Sequence, residues 1–249
     1  MTKIFALVRF SLGALLLAIF SSTTQAALVN LTIDSSASSI TMGGVAFTLN
    51  YAQQNPGSLT ANYQGTISAD LTAGVFTFNA LGGSSITAIT NPSGPYSTVP
   101  NPAGPLAGNY GVTASGFVPV FPFGNSTING VYRDLILDFL GGTATNGTPL
   151  SAATTIRFTQ GGLVAGAATQ GGNFPLTSNL AGVSGTNSSP SNVTWDGTTL
   201  TIPLQFSTTG SNRQENWNGV IVARVPEPSS AMLMLVATIG GVLTRRRSR

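Results

Sequence analysis

An all-β fold, a two-sheet sandwich with a jelly roll as one form of it, follows from three observations on the sequence. Short runs rich in β-branched and aromatic residues recur between Gly, Asn and Pro punctuation. Several of these runs alternate apolar and polar residues with a period of two. Between the two ends of the chain no helical period is sustained, so a single hydrophobic helix is expected only at the C terminus.

The candidate strands are 28–33, 45–51, 59–68, 75–79, 85–90, 116–121, 131–140, 154–160, 198–206 and 220–224. Phe76 and Phe78 share a face in one of them. Leu200, Ile202, Leu204 and Phe206 share a face in another, with Thr199, Thr201 and Gln205 opposite. Pro203 lacks the N–H a ladder needs, which predicts an edge or bulge position. Asp196-Gly197, between Val193-Thr194-Trp195 and that strand, is a strong hairpin signal. Two short echoes recur at a spacing of ten. Asn91-Pro-Ser-Gly-Pro95 returns as Asn101-Pro-Ala-Gly-Pro105, inside a Pro/Gly loop over 91–109. Thr159-Gln-Gly-Gly162 returns as Thr169-Gln-Gly-Gly172, which reads as paired turns flanking a small-residue segment, 163–168.

Residues 1–26 have the form of a secretory signal peptide. Lys3 and Arg9 precede an apolar run over 10–20, and small residues lead to a cleavage site after Ala26. The segment 27–224 is the exported β domain. Residues 225–249 form a distinct tail. Pro226 and Pro228 make a stiff, non-helical spacer around Glu227. Ser229 and Ser230 can cap a helix, and the run to Leu243 carries no charge. Residues 229–244 span about 24 Å as a helix, short of a ~30 Å hydrocarbon core, so snorkelling arginines complete the crossing. Arg245, Arg246, Arg247 and Arg249 place that end in the cytoplasm.

Motif, apolar span and basic end, in that order at the extreme C terminus, closely resemble the PEP-CTERM sorting signal. The resemblance covers 225–249 and implies several properties. Proteins with this signal occur in Gram-negative bacteria that make extracellular polysaccharide, which is the expected source of this chain. By this resemblance an exosortase, an integral membrane transpeptidase-like enzyme, is expected to recognise Pro226, Glu227 and Pro228 and to remove the tail. The protein sits in the inner membrane during sorting and then reaches the cell surface or matrix.

Composition narrows the chemistry. The whole chain is +3, with a pI near 9.7, but the excess lies in the two targeting segments. Between 27 and 224, Arg133, Arg157, Arg213 and Arg224 face Asp34, Asp70, Asp134, Asp138, Asp196 and Glu215. The balance there is acidic, so the pI is no sign of nucleic-acid binding. The chain has no histidine and no cysteine. Ser-His-Asp catalysis, thiol nucleophiles and His- or Cys-ligated metals are excluded. No lysine follows Lys3, which removes Schiff-base chemistry from the exported part. No cofactor is implied.

What remains is carboxylates and aromatics. Asp134 and Asp138 are weak calcium candidates, and as neighbours on one face of a strand they lie about 13 Å apart, too far for a glycosidase pair. They read more simply as charges on a solvated face. Trp217, flanked by Asn216 and Asn218 in the most polar stretch of the domain, is either a core or lid residue or an exposed platform for a sugar ring. Trp195 reads as core. The preferred expectation is therefore a non-enzymatic structural or adhesive protein of the cell surface and its polysaccharide matrix. A carbohydrate-binding module using exposed aromatics is the alternative, and a carboxylate-dependent glycan-cleaving enzyme a distant third.

Overall fold

The computed structural model describes residues 26–89, 105–117, 124–168, 177–210 and 212–226. The signal peptide, most of the loop at 91–109, the second Thr-Gln-Gly-Gly and the tail from Glu227 onward lie outside the described residues. Among the described residues the chain is all-β. Fifteen strands follow in order: β1 Ala27–Ile33, β2 Ser39–Ala46, β3 Leu49–Gln53, β4 Thr60–Thr72, β5 Val75–Phe78, β6 Ser85–Ala88, β7 Tyr110–Phe117 and β8 Asn125–Leu140. Then come β9 Thr143–Thr145, β10 Thr155–Ala168, β11 Thr177–Asn179, β12 Ser184–Thr186, β13 Thr194–Trp195, β14 Thr199–Gly210 and β15 Arg213–Arg224.

All fifteen join one antiparallel hydrogen-bonded sheet, along the path β11-β10-β8-β7-β3-β2-β15-β1-β4-β5-β9. Two routes lead from β8 to β2. One runs through β7 and β3, the other through β6 and β4. The sheet therefore closes on itself and faces its own inner surface. Phe158 of β10 lies 5.0 Å from Trp217 of β15, and 6.2 Å from Phe206 of β14, although β10 pairs with neither strand. These aromatics, with Tyr63, Tyr110, Tyr132, Phe76 and Phe139, are the largest fully buried side chains of a single core.

Turn chemistry explains the tight connections. The run 45–51 is not one strand. It folds back at Phe47 and Thr48, whose φ values of 49° and 76° are those of a two-residue hairpin joining β2 to β3. Phe and Thr are unusual there, so hydrophobicity alone read straight through the turn. Asp196-Gly197 makes the expected hairpin. Thr194 pairs with Thr201 and Trp195 with Leu200, and Asp196 Oδ1 accepts the backbone N–H groups of Thr198 and Thr199 at 2.8 and 2.7 Å. Pro203 lies on β14 beyond the end of β13, at the open side of the strand, as its missing N–H requires.

The first Thr-Gln-Gly-Gly is not a turn. It lies inside β10, where the register against β8 shifts twice between Phe158 and Gly162. Opposite it, Asp134 has φ 50°. This bulge reverses which residues face inward. On β8, Tyr132 points into the core before it, and Leu135, Leu137 and Phe139 after it. On β10, Ile156 and Phe158 give way to Leu163. Gly161, at φ +123°, has no room for a side chain: a Cβ would lie 2.7 Å from Leu135 Cδ2 and 3.0 Å from the Arg133 carbonyl oxygen.

Candidate functional site

β15 carries the most informative side chains. Its first half, which polarity alone marks as a loop, is a full strand paired with β14 on one side and β2 on the other. Arg213, Glu215 and Trp217 point inward, while Gln214, Asn216 and Asn218 point to solvent. The period of two was present in the sequence, but the inward positions hold charges and so no apolar alternation showed.

The inward residues form one buried network. Glu215 is 0% exposed. Its Oε1 accepts the Tyr132 hydroxyl at 2.7 Å and pairs with Arg213 Nη1. Its Oε2 accepts the Thr208 hydroxyl at 2.9 Å. The Thr208 oxygen in turn accepts the Trp217 indole N–H at 3.0 Å. The Tyr132 oxygen lies 3.3 Å from that of Tyr51. Tyr110 and Tyr132 each set an edge against Trp217 at 5.9 Å, the geometry that ring quadrupoles favour. On the far side, Tyr110 donates to the Ile40 carbonyl at 2.5 Å and its oxygen lies 3.2 Å from that of Tyr63.

Burial raises Tyr132 and Tyr110 well above the ordinary tyrosine range, and the nearby Glu215 adds to this at Tyr132. Burial works against the Arg213 charge, but Glu215 and Tyr132 outweigh it and hold the guanidinium above its usual value. A buried pair of this kind is worth little net stability if replaced whole, and much if halved. Its chemistry is that of a fixed framework: the carboxylate is enclosed and fully hydrogen-bonded.

The sequence-predicted site residues separate. Trp217 is 0% exposed, which corrects its reading as a sugar platform, because a stacking platform must offer a free face. It is a core residue. Asn216 and Asn218 are exposed. Trp195 is half-buried and sets an edge against Phe76 at 4.9 Å.

Asp138 is no solvated surface charge. It is buried, accepts the Ser84 N–H at 2.9 Å and the Gly83 N–H at 3.3 Å, and lies 3.6 Å from Arg157. Those donors take up the lone pairs that a calcium ion needs. Asp134 sits at the bulge, half-buried, and desolvation raises its carboxyl despite Arg133 beside it. Among the described residues no group of three or more acidic side chains converges on a metal-sized space. Asp34 bonds Ser36 and Arg224, so the acids are dispersed among separate partners.

Pro226 is exposed two residues after the end of β15, and between them the backbone N–H of Val225 donates to the Thr198 carbonyl at 2.8 Å. Glu227, Pro228, Arg245, Arg246, Arg247 and Arg249 lie outside the described residues. Among the described residues no helix is long and apolar enough to cross a membrane. The molecule belongs to the class of closed antiparallel β domains with an enclosed ionic and aromatic core. No family model, curated protein or solved structure matches the chain.

Proposed function

We propose that this chain is an exported, non-enzymatic structural or adhesive component of the bacterial surface and its polysaccharide matrix. Its working part is the all-β domain, whose single sheet wraps into the two facing layers of a sandwich, and its tail is a sorting signal read by an exosortase-type enzyme. The observation that carries this reading is the tripartite tail: Pro226-Glu227-Pro228, an uncharged run to Leu243, and four arginines. The exposure of Pro226 at the end of the last strand supports it, since a processing enzyme needs an extended, accessible substrate. The enclosure of Glu215 and Asp138 supports a non-catalytic role, because neither carboxylate is placed to meet a substrate.

Deleting residues 225–249 tests the reading. The protein is expected to lose its processing step and its retention in the cell envelope. Unchanged fractionation and unchanged processing of the deletion variant overturn it.

A further inference from the structure

We propose that the outer face of β14, β15, β2 and β4 binds a neutral polysaccharide chain through side-chain amides and hydroxyls. The proposal rests on the reading of the chain as a matrix protein and assigns that role a surface.

The strands align uncharged polar residues in register. Gln205 pairs with Asn218, Asn218 with Thr41, and Thr41 with Thr60, making one rung across four strands. The next rung is Ser207, Asn216 and Gly43. Neighbouring positions lie about 4.8 Å apart across the strands and rungs about 6.7 Å apart along them. A Cβ built at Gly43 meets nothing within 4 Å, so the middle of the face is open. The adjoining rung brings half-buried Pro203 and Val220, an apolar strip beside the polar ones. A sugar ring offers the same combination, hydroxyls at its rim and C–H groups on its faces.

Charge placement selects the ligand. An exposed sheet face ordinarily carries Lys, Arg, Asp or Glu at little cost. Here both charges in the first half of β15 are turned inward, where burial is expensive, and amides stand outside. These rungs carry no charge, so they offer nothing to an anionic polymer and keep their affinity in salt. Amides and hydroxyls both donate and accept, as sugar hydroxyls do. Part of the array is already ordered: the Thr41 and Thr60 hydroxyls bond each other at 2.7 Å, and Ser207 donates to Asn216 Oδ1 at 2.8 Å. Groups held in place lose less freedom on binding. The side-chain amides of Gln205 and Asn218 are exposed on this face, where a ligand can reach them.

The test is affinity electrophoresis of the full-length chain in a detergent without a sugar headgroup. The gels contain a neutral β-glucan, a neutral galactomannan or a polyuronate. Retardation by a neutral polymer, insensitive to salt, is expected. Gln205→Ala with Asn218→Ala should weaken it about tenfold, the worth of one to two hydrogen bonds. Gly43→Glu should abolish it, and Asp70→Asn, outside these rungs, should leave it unchanged. Several outcomes overturn the proposal: no retardation by either neutral polymer, retardation by polyuronate alone, or indifference to the face variants. Self-association that Gly43→Glu abolishes, without glycan binding, overturns it too and makes the face a contact between copies. A chain that is exported and processed but not retarded removes this inference alone. A chain that is retarded but stays unprocessed in the cytosol removes the export reading alone.

Discussion

The Tyr132 hydroxyl donates to Glu215 Oε1 at 2.7 Å, across the core from β8 to β15, and ties the two facing surfaces of the sheet between fully buried side chains. The carboxylate spends its remaining capacity on Thr208 and Arg213. A charge held this way is stable only while every partner is present.

Removing one partner should therefore cost far more than removing the pair. Glu215→Gln leaves Arg213 charged and enclosed, and is expected to lower stability by about 3–5 kcal/mol. Tyr132→Phe removes one donor and should cost about 1–3 kcal/mol. Arg213→Met combined with Glu215→Leu should recover most of the loss. Urea unfolding of the three variants checks the order. Equal destabilisation by single and double variants contradicts it.

Trp217→Ala should destabilise the fold itself, since Trp217 is buried. The substitution opens a large cavity beneath Tyr110, Tyr132 and Phe206 and leaves the Thr208 oxygen without its indole donor. A cost of about 3–5 kcal/mol is expected, read from the thermal midpoint. A variant as stable as the parent contradicts the buried placement.

The β8–β10 bulge gives a paired backbone prediction. Gly161→Ala places a Cβ against Leu135 and the Arg133 carbonyl at a positive φ, and should cost about 1–3 kcal/mol. Gly43→Ala meets open space and should change stability by less than about 0.5 kcal/mol. Denaturant midpoints of the two variants decide it, and equal shifts count against the geometry.

The tyrosines predict an alkaline limit. Tyr110 and Tyr132 are raised above the ordinary value of 10.0 by burial, as is Tyr63. A raised folded pKa means that their contribution is whole below about pH 10 and is lost as the pH climbs towards the folded values. Phenolate absorbance should therefore rise together with loss of the near-ultraviolet dichroism of Trp217. Full ionisation of all five tyrosines near pH 10 without unfolding contradicts the buried network. On the acid side, Asp34 and Asp196 are lowered by their hydrogen bonds to Ser36 and to Thr198. Their small, exposed contributions are present above the usual 3.8 and fade as the pH falls through the lower folded values.

The all-β class was legible because Phe76, Phe78, Leu200, Ile202, Leu204 and Phe206 obey a period of two that sterics and burial impose together. The Asp196-Gly197 hairpin was legible because its side chain and φ requirements are local. Three features were not. Phe47-Thr48 turns without turn residues, since β2 and β3 are held by their neighbours and override local preference. Gly161 and Asp134 form a bulge that depends on which strand lies opposite. Glu215 and Arg213 were hidden because charge at an inward position breaks the hydrophobic pattern. Their partners, Tyr132 and Thr208, lie on other strands, and only the register of β14 and β15 and the closure of the sheet bring them together.

Intact mass with terminal sequencing, on protein recovered from the cell surface and medium, tests the central claim most directly. The account predicts a species beginning at Ala27 and ending close to Pro226, without the arginines at 245–249. A full-length chain of 249 residues in the cytosol, its apolar terminus packed against the β domain, would contradict it.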